Sequence, residues 1–395
     1  EKPWMARESE FKNCFFLYDE GYEKMKIGTI SVNIHTPDYN YGAVLHSWAF
    51  QQYLKRLNDV ECAEVIDYTT PYLEGYYPKF GFRTSLRSGN IAETGRLLLK
   101  PIRHIIRDIR FRKFVREHMD ISEVRYTQKK LNDAELKYDV IVCESDVIWS
   151  PQLTEGKFDQ AFFAALDSMK NKKKIAYSPS MGDIVFTEEQ FEEFGRLVQN
   201  LDEISCRESY QKEVIERYVH KPVVHVLDPV MLLDAEDYKE ITGERVCQTP
   251  YLLLYLPVND NAELRRHADE YARKKGLEIV EITTKLEKNS NRSIRTLTTA
   301  GVEEFLSCIK YAECIFTNSF HAVCFGALFQ RDMYMFSRKY GGKVKDMCKV
   351  LGIENRYFAD DMFVEREPIP YDEVNSRIAC MKERSKRWFE SALHT

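Results

Sequence analysis

Several familiar chemistries have no foothold in this chain. No apolar run approaches the roughly 20 residues that a membrane-spanning helix needs. No basic n-region followed by an apolar stretch opens the sequence, so no secretory signal is expected. There is no Gly-x-Gly-x-x-Gly and no Walker loop, which leaves dinucleotide and P-loop chemistry without local support. No Asp-x-Asp offers the metal ligands used by one class of glycosyltransferase, and no nucleophile elbow presents a serine. The nine histidines are dispersed without metal-ligand spacing, so no metal and no cofactor are expected. Ten cysteines contain no Cys-x-x-Cys pair and fall mostly in apolar segments, as reduced cysteines of a cytoplasmic protein do. A basic excess is absent as well. The formal net charge of −5 and the pI near 6.1 argue against a nucleic-acid partner.

What is present is an alternation of apolar strands and amphipathic helices over 395 residues, enough for two domains. Residues 1–24 fit poorly with this alternation and read as an extension of unknown role. The pattern predicts strands near 27–34, 63–67, 140–143, 173–178, 203–206 and 223–227, which places a first Rossmann-like domain over 25–233. Polar residues 234–249 read as a linker. Strands near 251–256, 277–282, 314–316 and 333–336 restart the alternation in a second domain over 250–370, with a polar loop at 285–299. A terminal helix over 371–395 is long enough to cross back over the first domain. The expected fold class is α/β, two Rossmann-like domains facing a cleft in a GT-B-like arrangement.

The segment 95–118 reads as a helix with the apolar stripe Leu97–Leu99, Ile102, Ile105, Ile106 and Ile109 and a basic face that runs from Arg96 to Arg116. That face is either simply solvated or a contact for a membrane surface or an anionic, diphosphate-linked glycan carrier. Residues 70–95, rich in Gly, Tyr, Arg and Ser, read as a surface loop.

The densest signal is Ala-Glu-Cys-Ile-Phe-Thr-Asn-Ser-Phe-His-Ala at 312–322. A short strand, a polar turn containing Asn318 and Ser319, and a helix beginning at Phe320 would turn backbone N–H groups toward an anion. The same turn delivers His321 on the first helical turn. This stretch resembles the Thr-x-Ser-Phe-His-Gly signature of the polysaccharide pyruvyl transferase family. Other segments match the family in order: Asn40-Tyr41-Gly42-Ala43-Val44-Leu45, then Ser145-Asp146-Val147-Ile148-Trp149, Arg207-Glu208, and Asp228-Pro229. Two positions depart from it. Glu144 stands where the family has Gly, and Val147 where it has Gln. The added carboxylate would repel an anionic donor placed close by.

The resemblance implies a transferase whose donor substrate is phosphoenolpyruvate and whose acceptor is a saccharide or lipid-linked saccharide of the cell envelope or capsule. It implies His321 as general acid/base, Arg207 as binder of the donor anion, and Lys343, Arg338, Ser319 and Asn318 as further donor contacts. Asn40, Tyr41, Gly42, Ser145, Asp146 and Trp149 would line the acceptor side or the cleft. Two other readings remain open from the residues: a nucleotide-sugar glycosyltransferase of the same architecture, and a catalytically silent glycan-binding partner. The sequence does not address oligomeric state.

Overall fold

The structure is a computed structural model that describes residues 24–32, 40–70, 72, 91–154, 156–257, 262–283, 294–337, 341–359 and 363–395. Most of the 1–24 extension, residues 73–90 of the 70–95 loop, residues 285–293 of the polar loop, Arg338, and the side chains of Arg96 to Lys100 lie outside the described residues.

Among the described residues, twelve strands form two separate six-stranded sheets, and every pairing is parallel. The first holds β1 (Met25–Ile30), β2 (Val60–Val65), β3 (Val140–Glu144), β4 (Lys173–Tyr177), β5 (Glu203–Cys206) and β6 (Val223–His225), in the order β2-β1-β3-β4-β5-β6. The second holds β7 (Tyr251–Tyr255), β8 (Glu278–Ile282), β9 (Ile294–Leu297), β10 (Cys314–Thr317), β11 (Asp332–Phe336) and β12 (Tyr357–Phe358). Its order, β9-β8-β7-β10-β11-β12, is that of the Rossmann sheet.

The runs of uninterrupted apolar residues in these strands reflect burial on both faces. In β3, Val140 and Val142 join one core, while Ile141 and Cys143 join another on the opposite face. In β10, Ile315 faces the first core, and Cys314 and Phe316 face a third. The first core is continuous between the two domains, running from Val142 and Tyr177 through Val230 and Tyr238 to Ile315 and Met335. Within the segment read as a linker, Tyr238 packs between Trp48 of the first domain and Phe325 of the second, at 5.2 and 5.1 Å between ring centroids.

The terminal helix Tyr371–His394 returns to the first domain. Phe389 meets Phe50 and Tyr177 edge-on, and Ser385 Oγ accepts a hydrogen bond from the Leu227 amide at 2.9 Å. The helix Ile91–His118 faces the other way from its expected orientation. It turns Arg107, Phe111 and Phe114 inward and leaves Ile102, Ile105, Ile106 and Ile109 in solvent. Periodicity identifies a face but not the direction in which it points. Here the first domain and the seam offer Arg107 a specific partner, because its Nη2 donates to the Tyr41 hydroxyl at 3.0 Å and its guanidinium lies over the Tyr41 ring.

Candidate functional site

A ligand of an open parallel sheet binds beyond the carboxyl ends of its strands, where the strand order reverses. In the first sheet that point lies between β1 and β3, and in the second between β7 and β10. The residues that follow β3 at the first point and β10 at the second meet at one buried cluster between the domains.

After β3 the backbone enters the left-handed region twice in succession, at Ser145 (φ 47°) and Asp146 (φ 50°). Two non-glycine residues held there store strain, of order 1–3 kcal/mol each. The turn sends Ser145 Oγ to Asp228, where it donates to Oδ2 at 2.7 Å. Asp228 lies just beyond β6 and is the hub of the cluster. The same Oδ2 accepts from Arg207 Nη1 at 3.3 Å and lies 3.7 Å from His321 Nε2, while Oδ1 accepts from the Val230 amide at 3.1 Å. Burial opposes ionisation of Asp228, but the nearby His321 imidazole and the Arg207 and His46 cations outweigh it and hold the carboxyl below its usual range.

Arg207 comes directly after β5 and is wholly enclosed. Nε donates to Glu208 Oε1 at 2.8 Å, Asp146 Oδ1 lies 3.9 Å from Nη1, and the Phe320 ring packs under the guanidinium at 4.3 Å. Burial works against the cation, but Glu208, Asp228 and Asp146 more than offset it. Its Nη2 is buried without a hydrogen-bond partner. It is the one side-chain nitrogen of Arg207 without a hydrogen-bond partner among the described residues.

The second domain contributes the helix Phe320–Leu328, which starts where β10 ends. Thr317 Oγ1 donates to the Tyr255 carbonyl and accepts from the Ser319 amide, and Ser319 Oγ caps the helix by accepting from the Ala322 amide at 3.3 Å. The Ser319 hydroxyl therefore has a structural task, and Asn318 is buried beside it. The first helical turn then carries His321 across to the first domain. Its ring lies directly on the helix Tyr41–Leu54: a Cβ added at Gly42 would fall 1.9 Å from His321 Nδ1. Only glycine leaves that space. Burial, with a smaller push from Arg207, holds the imidazole below its ordinary pKa against the pull of Asp228 and Asp146.

A second histidine, which no sequence motif singles out, sits beside the first. The His46 and His321 rings are 20° from parallel, with centroids 6.3 Å apart. His46 Nδ1 meets Glu144 Oε2 at 3.2 Å, and Ser47 Oγ donates to Glu144 Oε1. Burial disfavours a charged His46, but Glu144 overrides it and raises the imidazole above its ordinary value. The Nε2 atoms of both histidines are buried without hydrogen-bond partners. This pair also changes the meaning of Glu144. Its backbone is regular strand, the left-handed residues being the next two, so the family's glycine is not sterically required at this position. Its carboxyl group is met by the His46 imidazole and the Ser47 hydroxyl and does not stand bare in the site.

Lys343 lies on the helix Gly342–Leu351, which docks on the Arg207 segment: the Ser209 amide donates to Asp346 Oδ2 at 2.9 Å. Burial and the like charge of Arg207 lower its pKa, against Asp146, Glu208 and Asp183. Beside it, a cavity of about 500 Å³ opens on the seam between Asp183, Tyr210, Gly342 and Lys345.

Three residues assigned to the acceptor side or the cleft have structural tasks. Trp149 is buried in a core of the first domain, its indole N–H donating to the Phe162 carbonyl and its ring stacked on Phe163. Tyr41 stacks on Phe305 at 4.4 Å and donates to the Ala300 carbonyl, so it ties the two domains together. Asn40 caps the helix Tyr41–Leu54 by accepting from the Gly42 amide at 3.0 Å. Among the described residues, no three His, Cys, Asp or Glu side chains converge as metal ligands.

Comparison with curated proteins finds no similar sequence. Solved structures with a similar chain layout include the UDP-GlcNAc 2-epimerase of Methanocaldococcus jannaschii, at 12% identity over 91% of this chain and 92% of that one, with a TM-score of 0.44. A putative UDP-N-acetylglucosamine 2-epimerase from Listeria monocytogenes gives 10% identity, 91% and 96% coverage and a TM-score of 0.48. The UDP-GlcNAc-bound epimerase from Neisseria meningitidis gives 10%, 93% and 94%, and 0.47. The family comparison reaches further, because the model for polysaccharide pyruvyl transferase matches residues 40–340, from the cap of the Gly42 helix past the His321 turn to β11 and beyond, and the chain belongs to that family.

Proposed function

We propose that this transferase moves the pyruvyl group of phosphoenolpyruvate onto two hydroxyls of a saccharide, free or lipid-linked, of a cell-envelope or capsular polysaccharide. The observation that carries this reading is the facing pair of imidazoles in one enclosed site, His46 raised and His321 lowered. Their opposite shifts favour a neutral imidazole at His321, free to take up and pass on a proton, beside one at His46 that favours its charged form.

The chemistry needs a proton delivered to the methylene carbon of the donor, which leaves oxocarbenium character at C2. One sugar hydroxyl adds there and returns a proton to the imidazole that supplied the first, the C2–O bond to phosphate breaks, and a second hydroxyl closes the cyclic ketal as its proton leaves with the phosphate. The products are the ketal and inorganic phosphate. We assign the proton to His321. In the free site this imidazole is held neutral, and a bound phosphate raises its pKa, so acidity arises with the donor in place. Arg207 Nη2 and Lys343 would hold the donor anion, and protonated His46 would add a third positive charge. The acceptor would enter through the cavity that Tyr210 helps to line.

Mass spectrometry of acceptor glycans incubated with labelled phosphoenolpyruvate tests the reaction directly, and transfer of label with release of phosphate is expected. Thermal shifts with phosphoenolpyruvate, a nucleotide-sugar panel and plain phosphate test the donor. Stabilisation by a nucleotide sugar but not by phosphoenolpyruvate would replace this reading with a glycosyltransferase. Stabilisation by neither, with no label transferred, would leave a silent partner.

A further inference from the structure

We propose that the outward face of the helix Ile91–His118 docks on an anionic lipid surface. Ile102, Ile105, Ile106 and Ile109 are 52%, 49%, 37% and 59% exposed and recur at i, i+3, i+4 and i+7, so they form one continuous stripe. Half of the large exposed apolar residues among the described ones lie on this stripe. A contiguous apolar strip on a water-facing helix marks a contact surface, whereas scattered single residues need no explanation.

The charge next to the stripe identifies the occupant. Lys113 and Arg116 continue the face beyond Ile109, one and two turns further on, and Arg112 flanks them. Their side chains are 54%, 73% and 62% exposed. Asp108 and Glu117 pair with these cations at the surface, and pairs that exposed are weak enough to exchange for lipid phosphates. Long basic stems beside an apolar strip lie along the headgroup boundary with their charges among the phosphates. The chain as a whole carries a formal net charge of −5, so attraction to an anionic bilayer is a local property of this helix and would orient the molecule with this face down. The contact runs through the isoleucine stripe with cations at its end, and does not require a wholly basic face.

The test uses the full chain and vesicles of phosphatidylcholine with about 30% phosphatidylglycerol, beside pure phosphatidylcholine vesicles, at low and high salt. The expected result is flotation with the anionic vesicles, reduced but not abolished by salt. Ile105→Ser/Ile109→Ser should lower the bound fraction roughly tenfold with an unchanged melting temperature, because both side chains are in solvent. Arg112→Gln/Lys113→Gln/Arg116→Gln should remove the salt dependence. Absence of wild-type flotation at low salt overturns the proposal, as does undiminished binding of the serine variant. A dimer that the serine variant dissociates, without vesicle capture, assigns the stripe to a second copy instead. None of these readouts depends on the donor or on turnover.

Discussion

The carboxyl edges of the two sheets meet at one site but bring it different things. The first sheet contributes groups that are driven to stay charged. Asp146 and Asp228 are held below the usual carboxylate range, and His46 and Arg207 are raised above their ordinary values. Glu208 is the exception, pushed up by burial. The second sheet contributes His321 and Lys343, both pushed toward neutrality, with burial as the leading cause. A fixed array of charges on one side thus faces groups poised to carry a proton on the other. The division suggests that the first domain owns much of the site's stability and the second owns its turnover. Single substitutions strain that division at different points.

The largest effect is expected at Asp228. Asp228→Asn leaves Arg207 buried without its shared carboxylate and removes the anion beside His321. Breaking a buried charge pair by deleting one partner costs about 3–5 kcal/mol. Urea unfolding should show that loss through a lower midpoint at unchanged slope, and turnover should vanish with it. A loss under about 1 kcal/mol would mean that Asp228 is not the hub of the cluster.

His321→Gln should behave in the opposite manner. The amide keeps size and hydrogen bonding but cannot cycle a proton near neutral pH. Single-turnover rates should fall by about 10²–10⁴-fold, with donor affinity and the unfolding midpoint nearly unchanged. Abolished donor binding with normal chemistry at saturation would reverse the assigned role.

Gly42→Ala tests the contact between the domains themselves. The new methyl would collide with His321 Nδ1, so the ring or the helix must shift. Overpacking of this kind costs about 1–3 kcal/mol, and a displaced imidazole should lower turnover by roughly 10–100-fold. A variant with normal rates would show that His321 has slack the structure does not suggest.

How far the sequence foretells this site depends on the distance each contact spans. The parallel strands, their two-domain grouping and the placement of His321 on a first helical turn are legible because each is a local pattern. Asp228 shows only as part of a family match, because its partners Ser145, Arg207 and His321 come from three other strand ends and no local spacing links them. His46 and Glu144 are 98 residues apart, so the pair that neutralises Glu144 leaves no motif. Trp149 matches a family position, yet an indole with a buried carbonyl partner and aromatic neighbours reads the same in sequence whether it faces a cleft or a core. The edge strand β9 escapes sequence reading because Arg295 and Thr296 are exposed and only its end residues are half-buried, which leaves little apolar signal.

The smallest effect separates the two histidines by pH. His321 is lowered in the folded chain, so the unfolded chain binds its proton more readily. Its share of stability is present above the ordinary value of 6.5 and is lost as pH falls through the folded value. His46 is raised, so its share is fully present below 6.5 and is lost as pH rises through its folded value. The two limbs have opposite slopes and meet near neutrality. Glu144→Gln keeps the side chain's shape, with the amide oxygen able to accept from Ser47 and the amide NH2 able to donate to a neutral His46 Nδ1, but removes the charge that raises His46. The alkaline limb should then flatten, with a lower midpoint below pH 6.5, while the acid limb set by His321 stays as it was. Urea midpoints measured across pH for the two proteins give this comparison, and the imidazole Cε1–H resonances give the individual titrations. Loss of the acid limb in Glu144→Gln would show that the two imidazoles titrate as one coupled unit, and the division of roles between the two domains would fall with it.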